Sequence, residues 1–111
     1  MDIARFTIYY YRTASGRCPF RDWLDSLDGD VQVMVDVRLT RIRRGLIGDS
    51  EYLGGGVFEL KIHAGPGYRI YYGRDGSTVI ILLDAGRKKS QTSDIDTARG
   101  FWQDYVRRTR E

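Results

Sequence analysis

Residues 58–72 read Phe-Glu-Leu-Lys-Ile-His-Ala-Gly-Pro-Gly-Tyr-Arg-Ile-Tyr-Tyr. Phe58, Leu60 and Ile62 alternate with Glu59, Lys61 and His63. After Gly65-Pro66-Gly67, Tyr68, Ile70 and Tyr72 alternate with Arg69 and Tyr71. A period of two marks a strand with one buried face, so two strands joined by a turn are predicted. Leu60 and Ile62 must share the core face with Ile70 and Tyr72. Glu59, Lys61 and His63 then share the other face with Arg69 and Tyr71. This register needs an odd loop of three or five residues, or a bulge, because a slip of one flips every side chain.

Working outward, residues 78–84 are apolar on both faces and belong at the centre of the sheet. Asp75-Gly76 predicts a two-residue hairpin turn, which sets Arg69 opposite Leu82. Gly86 is read as the end of that strand. Residues 3–12 alternate around Phe6, Ile8 and Tyr10 and predict a first strand, followed by a turn at Ser15-Gly16. Pro19 opens a short helix with Phe20, Trp23, Leu24 and Leu27 on one stripe. Gly29 breaks it, and Asp30 is read as the cap of a second helix carrying Val31, Val35, Leu39 and Ile42. Gly45 suits the residue just past its end. Gly54-Gly55-Gly56 reads as flexible. Ser93-Asp94-Ile95-Asp96 resembles a capping box for a last helix, with Ile95, Ala98, Trp102 and Tyr105 on its face. The order is β-α-α-β-β-β-α. That is an α+β fold over residues 1–111: one domain, a twisted antiparallel-rich sheet with a helical hairpin on one face.

The 111 residues suffice for one domain with a core of its own. A lone cysteine, Cys18, cannot make an internal disulfide. The N-terminal stretch MDIARFTIYYYR lacks a basic start and a long apolar run, so a cytoplasmic protein with no membrane association is expected. One histidine and one cysteine without ligand spacing point to no metal. The glycine triplet lacks the lysine of a phosphate-binding P-loop, so no cofactor is expected. Net charge is +3. Acidic residues gather between Asp22 and Asp36. Basic ones gather at Arg41-Ile42-Arg43-Arg44, Arg87-Lys88-Lys89 and Arg107-Arg108-Thr109-Arg110.

By the register above, Lys61 and Arg69 share one sheet face with His63 and Tyr71, and Arg87-Lys88-Lys89 follows the central strand. Such a surface suits phosphate. Arginine binds two phosphate oxygens through its planar fork. Lysine beside other cations loses its proton more readily, and histidine titrates near neutrality.

Several stretches taken in order resemble the RelE/ParE toxin superfamily. They are Gly-Val-Phe-Glu-Leu-Lys-Ile-His (56–63), Gly-Tyr-Arg-Ile-Tyr-Tyr (67–72) and Ile-Leu-Leu-Asp-Ala-Gly-Arg-Lys-Lys-Ser-Gln (81–91), with Asp94-Ile95 and Ala98. Phe20-Arg21-Asp22-Trp23-Leu24, the Arg-Leu-x-Arg of 38–41, Gly48-Asp49 and Leu53-Gly54 are similar to its HigB-like branch, known as addiction module killer or phage-derived Gp49-like proteins. The resemblance covers nearly the whole chain and agrees with the order of elements just read. It implies the toxin of a type II toxin–antitoxin system, a metal-independent, ribosome-dependent mRNA endoribonuclease that inhibits translation. The implied partners are a helix-turn-helix antitoxin of the HigA type, the ribosome and mRNA. The implied catalytic residues are Lys61, Arg69 and Lys88. RNA contacts are expected from Arg87, Lys89, Tyr71, His63, Arg41 and Arg44. Two departures stand out. Gln91-Thr92-Ser93-Asp94 has no tyrosine or histidine where some ribonuclease members carry one, and Glu59 stands where some have a second lysine. A ParE-like inhibitor of DNA gyrase and a non-catalytic RNA-binding domain are the alternative readings.

Overall fold

The computed structural model describes residues 5–110. The elements are β1 (Thr7–Tyr10), α1 (Pro19–Asp25), α2 (Gly29–Arg43), β2 (Ser50–Tyr52), β3 (Phe58–Ile62), β4 (Tyr68–Asp75) and β5 (Val79–Arg87). A 3₁₀ turn (Lys88–Ser90) and α3 (Gln91–Thr109) follow. The class is the expected α+β, with one strand more than the sequence pattern gave. β2 is only three residues long, SEY, too short to show a period. The first strand is shorter than expected at Thr7–Tyr10, and residues 3 and 4 of the expected strand lie outside the described residues.

The five strands form one sheet in the order β1-β5-β4-β3-β2. β5 is an interior strand, as its two apolar faces require, but the middle of the sheet is β4 rather than β5. β5 pairs parallel with β1 and antiparallel with β4, and the other neighbours are antiparallel. β3 and β4 meet in the predicted register: Leu60 opposite Ile70, Lys61 opposite Arg69, Ile62 opposite Tyr68. The loop is therefore the five residues 63–67.

The second hairpin corrects the expectation. Asp75 pairs with Val79, so the loop is the three residues 76–78 rather than two. The register also shifts between Tyr71 and Tyr72. Together these move Arg69 from Leu82 to Gly86. β5 then runs on to Arg87, so neither Asp84 nor Gly86 ends it.

α1 and α2 cover one face of the sheet. Phe20, Leu24, Val35, Leu39 and Ile42 pack there against Leu60, Ile62, Ile70, Tyr72, Ile80 and Leu82. Each such buried side chain contributes roughly 1.5–3 kcal/mol. Pro19 begins α1 as expected, at the position where its missing N–H costs nothing. The residue before α2 is Asp28, not Asp30, and Gly29 lies inside the helix. Gly45, at φ 92°, ends α2 as predicted. Its N–H bonds Ile42 O and the Leu46 N–H bonds Arg41 O, which satisfies the last carbonyls.

α3 covers the other face, where Ala98 and the half-buried Ile95, Phe101, Trp102 and Tyr105 pack on Tyr11, Val57, Tyr71, Ile81 and Leu83. The capping box is not formed. α3 starts at Gln91 from Ser90, and Ser93 lies in its first turn, its hydroxyl donating to Ser90 O. Gly54, Gly55 and Gly56 form a closed turn with all three φ values positive. A Cβ on Gly56 would collide with the Trp102 indole, so that position is held to glycine by close approach. Among the described residues no helix is long and apolar enough to cross a membrane.

Candidate functional site

The β3–β4 register sets Lys61 beside Arg69, and the β4–β5 register sets Arg69 beside Gly86. The β3–β4 loop turns on Gly65 and Gly67, both with positive φ. Its Gly67 carbonyl accepts the Lys88 N–H at 3.3 Å, which draws the 3₁₀ turn against the loop. A cleft of about 430 Å³ opens at this end of the sheet, lined by Lys61, His63, Gly67, Tyr68, Arg69 and Lys88 among others.

Arg69 forms the deep wall. Its side chain is 13% exposed, and its Nη1 donates to Glu59 Oε1 at 2.8 Å. Glu59 is 1% exposed, and its second oxygen accepts from Gln91 Nε2 at 2.8 Å. One carboxylate thus ties β3, β4 and the first turn of α3 together. Arg69 Nε is buried without a hydrogen-bond partner among the described residues. Glu59 and Arg69 are not direct cross-strand partners; they meet on the diagonal, within reach of long side chains. Gly86 makes room for the helix. A Cβ there would run into Asp94 and Ser90, whose hydroxyl donates to the Asp94 carboxylate.

Tyr71 is fully buried on this face, and its hydroxyl has no hydrogen-bond partner among the described residues. Burial pushes its pKa well above the ordinary phenol value, and Glu59 and Asp94 push it further. Asp84, its partner on β5, accepts the Ala85 N–H at 2.9 Å. Burial, with a smaller push from Asp94, raises its carboxyl to about 6.

The outer lip of the cleft is wetter. Lys61 Nζ lies 3.4 Å from Glu51 on β2. His63 Nε2 lies 2.6 Å from Asp49 Oδ2. The His63 hydrogen bond holds the Asp49 carboxyl below its ordinary range, helped by Lys61 and Arg38. An ionised carboxylate only accepts, so His63 Nε2 is the donor of this hydrogen bond. Lys88 is exposed and makes no ion pair among the described residues.

Of the residues predicted from sequence, the cleft brings together Lys61, His63, Arg69 and Lys88. It does not include Arg87 or Lys89, which are exposed beside it. Tyr71 is corrected: α3 seals the ring from solvent, so it does not stand on an open concave surface. Arg41, on α2, and Arg44, just past its end, sit on the far side of the sheet. Arg41 reaches a shallow hollow shared with Arg38, His63 and Ala64; Arg44 does not. Sequence reasoning missed the roles of Asp49, Glu59 and Gln91. A glutamate on the same strand face as the lone Arg69 was the available signal for Glu59. Asp49 needed β2 to be recognised as a strand.

Fold and cleft together define a small α+β protein with a cationic cleft at one end of its sheet. The chain belongs to the family described as phage derived protein Gp49-like, which it matches over residues 22–100, a family of the RelE/ParE toxin type. It is also 35% identical over 81 residues to an uncharacterized protein of Haemophilus influenzae (strain ATCC 51907 / DSM 11121 / KW20 / Rd). That match takes in 72% of this chain and 82% of the relative.

Proposed function

We propose that this chain is the toxin of a type II toxin–antitoxin pair, cleaving mRNA on the ribosome without a metal. Its partner is a helix-turn-helix antitoxin. The observation that carries this reading is the convergence of Lys61, His63, Arg69 and Lys88 on one cleft from two strands, a loop and the turn after β5. Family membership supports it.

Cleavage at phosphate requires the RNA 2′-hydroxyl to lose a proton and the 5′-oxygen to gain one, while charge on phosphorus is stabilised. His63 Nδ1 takes the 2′-proton, with Asp49 holding the ring through Nε2. Arg69, fixed by Glu59, faces the phosphate, and the exposed Lys88 ammonium gives the leaving 5′-oxygen its proton. Lys61 neutralises charge beside them. A second reading is a non-catalytic grip on RNA. It is favoured by Glu59, which already occupies part of the Arg69 fork.

The test is mapping of mRNA 5′ ends after brief expression of wild type, His63→Ala and Lys88→Ala. All three keep the buried Glu59–Arg69 pair. New ends within coding regions for wild type only are expected. Ends unchanged by His63→Ala contradict the assigned base. Growth arrest with intact mRNA selects a gyrase-type target, and RNA binding with intact mRNA selects the second reading.

A further inference from the structure

The outer face of α2 is not accounted for by the fold or by the cleft. Its inner face buries Val35, Leu39 and Ile42. Its outer face leaves Val33 62% and Val37 45% exposed, above average for valine in a folded protein. Asp30, Val33, Val37, Thr40 and Arg44 follow the seven-residue spacing of a helix–helix seam. A groove of about 360 Å³ runs along it, lined by Val33, Asp36, Val37, Thr40, Arg41 and Arg44.

Charge on this face is split along the helix. Asp30 lies toward the N-terminal end and Arg41 and Arg44 toward the C-terminal end, with Val33, Asp36 and Val37 between. All four charged residues are exposed, and none makes an ion pair among the described residues. An acid-to-base gradient along one helix is complementary to itself when the second copy runs antiparallel. With Val37 at the two-fold axis, residues equally far on either side come opposite each other. Asp30 then meets Arg44 of the second copy, and Val33 meets the alkyl stem of its Arg41. A parallel pairing would set like charges together.

We infer that the outer face of α2 is a self-association surface, on which two copies of this chain pack antiparallel about Val37 with Asp30 of each against Arg44 of the other. The inference is independent of the proposed activity. The patch is one helix long, so association is in the micromolar range rather than permanent.

Sedimentation equilibrium of the full chain tests it. Wild type is expected to pass from monomer to dimer as concentration rises through the micromolar range. Val37→Asp is expected to weaken the dimer about tenfold or more. Asp30→Arg alone sets arginine against arginine, and Arg44→Glu alone sets acid against acid; each is expected to be monomeric. An equimolar mixture of these two variants restores both pairs and is expected to form a mixed dimer. Both sites are exposed, and circular dichroism checks that the variants remain folded. A wild type that stays monomeric throughout overturns the inference. So does a dimer that tolerates Val37→Asp, or a mixture that fails to associate.

Discussion

The face of the sheet under α1 and α2 buries Leu60, Ile70, Tyr72, Ile80 and Leu82 against Phe20, Val35 and Leu39. The face under α3 buries Tyr71 and Leu83 as well, but it also holds Glu59, the one fully buried charged residue among those described, with Arg69 and Gln91 attached. The first face is held by many interchangeable contacts. On the second, each polar group depends on a named partner. Loss of an apolar side chain costs its own contacts; loss of Arg69 leaves a carboxylate stranded in the interior.

The largest effects should expose that contrast. Phe20→Ala on the hairpin face is expected to cost about 3–5 kcal/mol, the transfer and cavity cost of a fully buried ring. Arg69→Ala should cost a similar amount, about 3–5 kcal/mol, because Glu59 loses its countercharge. The two differ in rescue. Combining Glu59→Leu with Arg69→Met should regain most of the loss in urea denaturation, since apolar pairs of similar volume replace buried ion pairs well. No second-site change of charge should help Phe20→Ala. An unchanged urea midpoint for Arg69→Ala would show that the pair does not hold the α3 face. The same cost makes Arg69→Ala a poor probe of activity, which is why Lys88 and His63 carry the functional test.

Gly73→Ala comes next. The added methyl would fall within the Trp102 ring, and overpacking of this kind costs about 1–3 kcal/mol. Calorimetry should show a clear drop in Tm; an unchanged Tm would mean that Trp102 is free to move aside.

Asp84→Asn should stabilise. The folded-state carboxyl lies at about 6, above its unfolded value of 3.8. Stability from this group is therefore full below the unfolded value and is lost as pH rises through 6. At pH 7 the asparagine removes that loss and keeps the Ala85 N–H bond, a gain on the order of 1–2 kcal/mol after screening. The gain should vanish by about pH 4. A pH-independent difference would place its cause elsewhere. Smallest of all, Glu51→Gln at the exposed lip should shift stability by only about 0–1 kcal/mol, because its pair with Lys61 is solvated.

How much of this was legible follows from the same contrast. The hairpin face wrote itself as alternation at Leu60, Ile62, Ile70 and Tyr72, and that fixed the β3–β4 register and the five-residue loop. The interior place of β5 was legible because both its faces are apolar, though the middle strand is β4. The second hairpin was not, because a bulge at Tyr71–Tyr72 and a longer turn leave no mark in hydropathy. Its error carried Arg69 to the wrong neighbour and hid the role of Gly86, whose bare backbone admits Ser90 and Asp94. Lys61, His63, Arg69 and Lys88 were grouped correctly as neighbours of one end of the sheet. That α3 would roof half of that face was missed. Glu59 and Tyr71 look solvated by pattern, and only the helix above them makes them buried.

The most direct measurement is a double-mutant cycle on Glu59 and Arg69, read by urea unfolding of wild type, Glu59→Ala, Arg69→Ala and the pair. A coupling of about 1–3 kcal/mol is expected, with the double variant far less damaged than the sum of the singles. Additive losses with no coupling would contradict it, leaving Arg69 unanchored and the deep wall of the cleft without its support.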